Sequence, residues 1–418
     1  MTAKSIKGKS TEEISSALRE SMADGFKPTL AIVFISVKQD REAISKLLDE
    51  KGIQIFGATT AGEFIDGEIE GGSIVMMLLD MTPAYFKIEF IETSQETAFE
   101  DANKLGNAGK ETFTNPAFII ANSGVSLDGE PIVEGIIQGF GKSSSSPDRE
   151  VTVFGGKAGD DLALESTFVF TNGKSKDCAL VALIIDEDKI DVKGIATCGW
   201  QAIGTTKTVT KSEGNIVYTI DDKPALDMLM NYLGVEIKQE GNKDIVTFLS
   251  SWYYPLQVER ENENPVIRTA MFANREDRSL ICSGKVPQGS KIKFSLPPDF
   301  DSIDKVVAEC KIIKDNGQQQ ADALIMFSCV SRYLSFGVVM KEEIEQVQNI
   351  WDVPMAGFFS YGEYGKSLSP GQPGKTNKYD YHNNTCCLVV LKEKLFPARM
   401  NQSGNLQQAP MMVIGVTK

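Results

Sequence analysis

Apolar positions along this chain switch between two periods, and the switches divide it into elements. Residues 10–25, STEEISSALRESMADG, place Ser10 and Glu13 at capping-box spacing and Ile14, Ala17 and Leu18 on one helical face, with Gly25 as terminator. TLAIVFISV (29–37) is instead a continuous β-rich run, the pattern of a strand covered on both faces. Residues 39–51 return to helical spacing through Ala43, Ile44, Leu47 and Leu48, and the strand IQIFG (53–57) then runs into the turn ATTAGE.

That order comes back twice. KIEFIE (87–92), a helical stretch near 95–106, the strand PAFIIAN (116–122) and a helix over 130–140 lead into VTVFGG and KAGDD. KIKFSL (291–296), a helix over 302–314, the strand ALIMFSC (323–329) and a helix near 341–351 lead into PMAGFFSYGE (354–363). Gly57-x-x-x-x-Gly62-Glu63 and Gly357-x-x-x-x-Gly362-Glu363 share one turn spacing, and Gly155-x-x-x-Gly159-Asp160 is one residue shorter. An apolar strand follows each turn: SIVMMLLD (73–80), DCALVALIID (177–186) and NTCCLVVLK (384–392).

These patterns predict an α/β protein of two related domains, with helix-covered sheets built from helix-strand-helix-strand-turn-strand units and a β-rich segment near 245–296. The expected boundaries are an N-terminal helix over 1–28, domains over 29–220 and 221–395, and a loop-like tail over 396–418.

FGGKAGDD (154–161) resembles a phosphate-cradling loop at first sight, but it lacks the G-K-[ST] ending, and LALESTFVF (162–170) reads as extended chain. An acid beside a phosphate would also repel it. The glycines are better read as positive-φ turn residues.

The charge balance of 43 basic against 57 acidic residues, −14 net, repels a nucleic-acid backbone. Seven cysteines, an odd number with no C-x-x-C spacing, argue against a disulfide framework and suit a reducing compartment. No apolar run approaches the ~20 residues that cross a bilayer, and MTAKSIKGKSTEE has no secretory h-region. The expectation is a cytoplasmic protein without membrane or nucleic-acid partners. A single histidine, His382, excludes multi-histidine metal sites.

FGGKAGDD, CGWQAIG (198–204), SEGNIVYTIDDKPAL (212–226), SCVSR (328–332), GFFSYGEYG (357–365) and YHNNT (381–385) together resemble the FIST sensory family, over about residues 29 to 395. The resemblance implies an N-type FIST domain followed by a FIST_C-type domain, acting as a signal-input module rather than an enzyme. It also implies a small ligand such as an amino acid. Members occur alone or fused to kinase, chemotaxis or cyclic-nucleotide output domains, and some bind haem and respond to nitric oxide. With no output domain read after residue 395, the signal is expected to pass to a separate partner, for example a histidine kinase.

The residues suited to holding an amino acid cluster in the last unit. Arg332 offers a two-pronged contact to a carboxylate and Glu363 a partner for an amine, unless the two simply pair with each other. Ser328, Ser360 and Asn383 add neutral hydrogen bonds, and Asp160 is an alternative amine partner in the middle unit. No cofactor is expected. The competing reading is a haem sensor with His382 as axial ligand. A thiol hydrolase built on Cys329 and His382 ranks third, because no hydrolase signature surrounds Cys329. No calcium-loop spacing appears, and Trp252, Tyr253 and Tyr254 line either a pocket or an interface.

Overall fold

The computed structural model describes residues 1–141, 150–234, 252–261, 263–367 and 378–394, so the expected tail over 396–418 lies outside it. Its α/β architecture is built from three units of one connectivity. The first comprises β1 (Ala3–Gly8), α1 (Thr11–Ser21), β2 (Leu30–Ile35), α2 (Arg41–Asp49), β3 (Gln54–Thr59), the hairpin β4 (Glu63–Ile65) and β5 (Glu68–Glu70), and β6 (Ile74–Leu79). The second runs β7 (Phe86–Glu92), α3 (Ala98–Thr112), β8 (Pro116–Asn122), α4 (Glu130–Phe140), β9 (Thr152–Lys157), the hairpin β10 (Val169–Thr171) and β11 (Lys174–Lys176), and β12 (Ala179–Asp186).

The third unit opens with β13 (Ile190–Thr197) and is then interrupted by a β-rich insert. The insert holds β14 (Ala202–Glu213), β15 (Ile216–Ile220), β16 (Lys223–Pro224), α5 (Ala225–Leu233), β17 (Leu256–Arg260), β18 (Glu263–Arg268), β19 (Ala270–Ala273), β20 (Leu280–Cys282) and β21 (Lys291–Ser295). The unit resumes with α6 (Phe300–Asp315), β22 (Ala323–Cys329), α7 (Val330–Phe336), α8 (Met340–Gln348), β23 (Met355–Ser360), the hairpin β24 (Glu363–Lys366) and β25 (Tyr379–His382), and β26 (Cys386–Glu393).

Two expectations change here. KIKFSL forms β21 inside the insert's sheet, and the edge strand of the third unit is β13. The segment ahead of α1 is strand, not only helix: β1 pairs antiparallel with β6 along its whole length.

The unbroken apolar runs have a physical cause. Alternate residues of each central strand enter different cores. Leu30 and Phe34 of β2, Ile119 of β8 and Ile325 of β22 meet in one central core shared by all three units. Ala31, Val33 and Ile35 face the other way, onto Ile14 and Leu18 of α1 and Ile44 and Leu48 of α2. Both faces of β2 are therefore dry, and all six residues are buried.

Each unit hands its hairpin to a neighbour. The sheets run β1-β6-β2-β3-β10-β11, β7-β12-β8-β9-β24-β25 and β13-β26-β22-β23-β4-β5. Strands from the last unit thus complete the sheet of the second, across the boundary expected at 220/221. A closed ring of backbone hydrogen bonds joins the three turns. Ala61 N–H donates to Phe359 O at 3.0 Å, Tyr361 N–H to Lys157 O at 3.1 Å and Gly159 N–H to Thr59 O at 2.9 Å. Return bonds run from Phe359 N–H to Gly62 O, from Lys157 N–H to Gly362 O and from Thr59 N–H to Phe168 O, each 2.8 Å.

Candidate functional site

The hydrogen-bond ring aligns the units residue by residue. Thr59, Lys157 and Phe359 hold equivalent places, as do Gly62, Phe168 and Gly362. Strand register then makes Val169, not Asp160, the equivalent of Glu63 and Glu363: it pairs with Ala58 as Glu63 pairs with Phe358 and Glu363 with Gly156. The middle turn is therefore longer than its siblings, not shorter. Ten residues (158–167) separate its ring positions, where the others have two (60–61 and 360–361). LALESTFVF is extended only at its end: Asp161, Leu162 and Leu164 have φ of 53°, 69° and 56°.

Asp160 explains how this loop holds its shape. Its carboxylate accepts from the backbone N–H groups of Leu164 at 2.9 Å, Glu165 at 2.7 Å and Ser166 at 3.0 Å, and from the hydroxyl of Tyr361. All its acceptor capacity faces the loop, so Asp160 is a structural cap rather than an amine ligand. Tyr361 Oη in turn accepts from Leu162 N–H at 3.1 Å.

The loop walls a cavity of about 270 Å³ between the three-unit body and the insert. Leu162 and Leu164 come from the loop, Cys329, Val330 and Ser331 from the end of β22 and the start of α7. The insert side supplies Trp252, Thr269, Met271, Phe272 and Ser283. Gly124 must be glycine here, because a Cβ would stand 1.7 Å from Ala158 O. The insert is tied down beside the cavity by the Arg268–Glu130 ion pair and by Ser283 Oγ donating to Asn383 Oδ1 at 2.8 Å.

Among the described residues one charged side chain lines this cavity. Lys157, at the end of β9, is 8% exposed. Among the described residues its ammonium forms no ion pair and no side-chain hydrogen bond, and it lies 5.6 Å from the centroid of the Tyr381 ring. Burial pulls its pKa down to about 8, against the opposing pull of Asp128 and Glu363.

The residues expected from sequence are dispersed around the cavity, not gathered in it. Asn383 lines it. Arg332 is fully buried behind it, with Nε donating to Glu343 Oε1 at 3.2 Å, Nη2 to Glu343 Oε2, and Nη1 to the carbonyls of Cys198 and Asn384. It neither faces the cavity nor pairs with Glu363. Glu363 accepts from Ser360 Oγ at 2.6 Å and Thr385 Oγ1 at 2.7 Å, and burial raises its pKa to about 8. Ser360 is thus spent on Glu363. Ser328 is buried with no hydrogen-bond partner for its hydroxyl among the described residues, outside the cavity lining.

Glu63 repeats the arrangement of Glu363 in the first unit. Thr60 stands for Ser360 and Ser73 for Thr385, with Ser73 Oγ donating at 2.8 Å, and the carboxyl is raised to about 7 by burial. The turn acids of both units are buried carboxyls in hydroxyl cages, which is a packing role.

His382 lies in β25, 4% exposed, with Nε2 3.1 Å from Gly365 O, and burial lowers its pKa to about 4. It does not line the cavity, and its Nε2 is engaged with the Gly365 carbonyl. These surroundings do not fit a haem ligand. Cys329 does line the cavity, but burial and the neighbouring Glu363 push its thiol up to about 12, the opposite of an activated nucleophile. Sequence reasoning quoted Lys157 and passed over it. The available signal was a lysine with glycine and alanine on either side, at the end of an otherwise apolar strand.

Fold and cavity together define an α/β scaffold that encloses a small-molecule-sized space. The FIST N domain matches residues 29–223 and the FIST C domain residues 225–366, and the chain belongs to the FIST family. FIST domains are sensory domains of signal transduction. The uncharacterized protein MJ1623 of Methanocaldococcus jannaschii is 28% identical over 177 residues, which cover 40% of this chain and 34% of that relative. The chain thus spans about a third of that relative's length. No helix among the described residues is long and apolar enough to cross a membrane.

Proposed function

We propose that this chain is a cytoplasmic signal-input module that binds a small organic carboxylate without transforming it. The ligand's anionic end meets Lys157, and its body lies against Trp252, Met271 and Phe272. Amino acids and other small acids both meet this requirement. The signal then passes to a protein partner such as a histidine kinase.

The unpaired ammonium carries the reading. Burying a cation without a partner is costly, and structural lysines escape by pairing or by reaching solvent. Among the described residues Lys157 has no ion-pair partner, and it is only 8% exposed, with the Tyr381 ring 5.6 Å away. A ligand carboxylate recovers that cost, which makes the lysine an anchor and not a liability. The cavity supplies apolar walls with few polar groups, as small-molecule sites do.

A thermal-shift panel of amino acids and small carboxylates on the purified chain tests this. A ligand at 100 times its Kd stabilises by about 2.7 kcal/mol, a shift of several degrees. Lys157→Met is expected to abolish the shift. A panel flat across all these acids, or a shift that survives Lys157→Met, removes the reading.

A further inference from the structure

The charge inventory of the cavity narrows the ligand further, on the footing that Lys157 is its anchor. Among the described residues no aspartate or glutamate lines the space. Two acids around it are committed: Asp160 to three backbone N–H groups and Tyr361, Glu363 to the hydroxyls of Ser360 and Thr385. Asp128, whose charge is felt at Lys157, accepts from Glu130 N–H at 3.2 Å and lies outside the lining. Neutral groups of the lining are engaged with one another, Ser283 Oγ with Asn383 Oδ1 and Asn383 Nδ2 with Tyr381 Oη at 3.1 Å.

An α-amino acid carries its ammonium on the carbon next to the carboxylate. With the carboxylate on Lys157, that ammonium cannot leave the lysine's neighbourhood. It would be a second buried cation beside the first, with no anion among the described lining residues to meet it. A carboxylate without the ammonium avoids this. The remaining wall is aromatic and aliphatic: Trp252, Phe272, Tyr361 and Tyr381 with Leu162 and Leu164.

We propose that the cavity selects small aromatic or branched monocarboxylates over the corresponding α-amino acids. The discrimination comes from what the cavity lacks, an anion for an ammonium, as much as from what it offers.

Matched pairs that differ only in the ammonium test it: 3-phenylpropanoate against L-phenylalanine, and 4-methylpentanoate against L-leucine, by calorimetric titration of the full chain, with 2-phenylethylamine as a third arm. The deaminated acid of at least one pair is expected to bind at least tenfold more tightly than its amino acid, and the amine not at all. Lys157→Met and Lys157→Gln are expected to remove acid binding while the melting transition stays cooperative. Should both variants fail to fold, the wild-type pairs still decide. An amino acid that binds as tightly as its deaminated partner, or any binding of the amine, overturns the selectivity while leaving the carboxylate reading intact. Failure of every acid and amino acid to bind overturns both.

Discussion

Two buried cations lie near the end of β22, and they are built in opposite ways. Arg332 sits on α7 with Glu343 of α8 across from its guanidinium, two backbone carbonyls at its third edge, and the rings of Trp200 and Phe336 5.3 and 5.1 Å away. Its charge is answered within the chain. Lys157 sits on β9 and has no ion-pair or hydrogen-bond partner among the described residues, only the Tyr381 ring at 5.6 Å and the more distant pull of Asp128 and Glu363. A saturated cation holds elements together, here α7, α8 and the segments carrying Cys198 and Asn384. An unsaturated one in a cavity is open to a ligand. Residue type alone favours arginine for a carboxylate site, and the difference between these two environments reverses that choice.

The largest test of this contrast is removal of the arginine. Arg332→Met strands the Glu343 carboxylate in a dry core, and loss of one partner from a buried pair costs about 3–5 kcal/mol. Urea unfolding should show that loss, and Arg332→Met with Glu343→Leu should recover much of it. A loss under ~1 kcal/mol in the single variant would mean the pair is not the fixed structural element described here. Asp160→Ala is expected next in size, at about 2 kcal/mol, because it orphans several partly buried N–H groups of the inserted loop. It should weaken ligand binding as well, since Leu162 and Leu164 depend on that loop.

The sequence made the strands legible because both faces of each central strand are dry, as in β2 and β22, where every residue is buried. It made helices legible where a cap was explicit, as with Ser10. It could not reveal the hairpin exchange, since pairing β24 with β9 or with β23 requires the same local pattern. The middle turn misled for a related reason. Gly159-Asp160 imitates Gly62-Glu63 in spelling, yet Val169 takes the equivalent place, and only the backbone ring shows it. For the same cause Asp160 and Glu363 drew attention as ligands. An acid's commitments, three loop N–H groups or two hydroxyls, are made by residues distant in sequence.

A smaller effect distinguishes the buried carboxyls by pH. Glu363 has a folded pKa of about 8 against 4.5 ordinarily, so the folded chain holds a proton that the unfolded chain releases. Stability therefore falls as pH rises from about 4.5 to 8. His382 opposes this between about 4 and 6.5, where the unfolded chain binds the extra proton. Glu63 adds to the fall only up to about 7. The clean window for Glu363 is thus the upper part, near pH 7 to 8. Glu363→Gln should flatten the fall in stability there, by about 1 kcal/mol, in chemical denaturation at fixed ionic strength. An unchanged slope would show that Glu363 is ionised in the fold and finds a cation after all.

Lys157→Met gives the smallest change and the sharpest contrast with Arg332→Met, because its sign is opposite. No partner is stranded, and a desolvated charge is replaced by an apolar chain of similar length, so stability at neutral pH should rise, by about 1 kcal/mol. The gain should depend on pH in a way that identifies its cause. The folded lysine titrates at about 8 and the unfolded one at 10.5. Between those values the unfolded chain binds the extra proton, and wild-type stability climbs with pH. The advantage of the variant should accordingly be full below pH 8, then shrink and reverse toward pH 10.5. A saturating carboxylate should remove the advantage at neutral pH by stabilising the wild type alone. If Lys157→Met instead destabilises at every pH, the ammonium has a partner, and the two cations are alike.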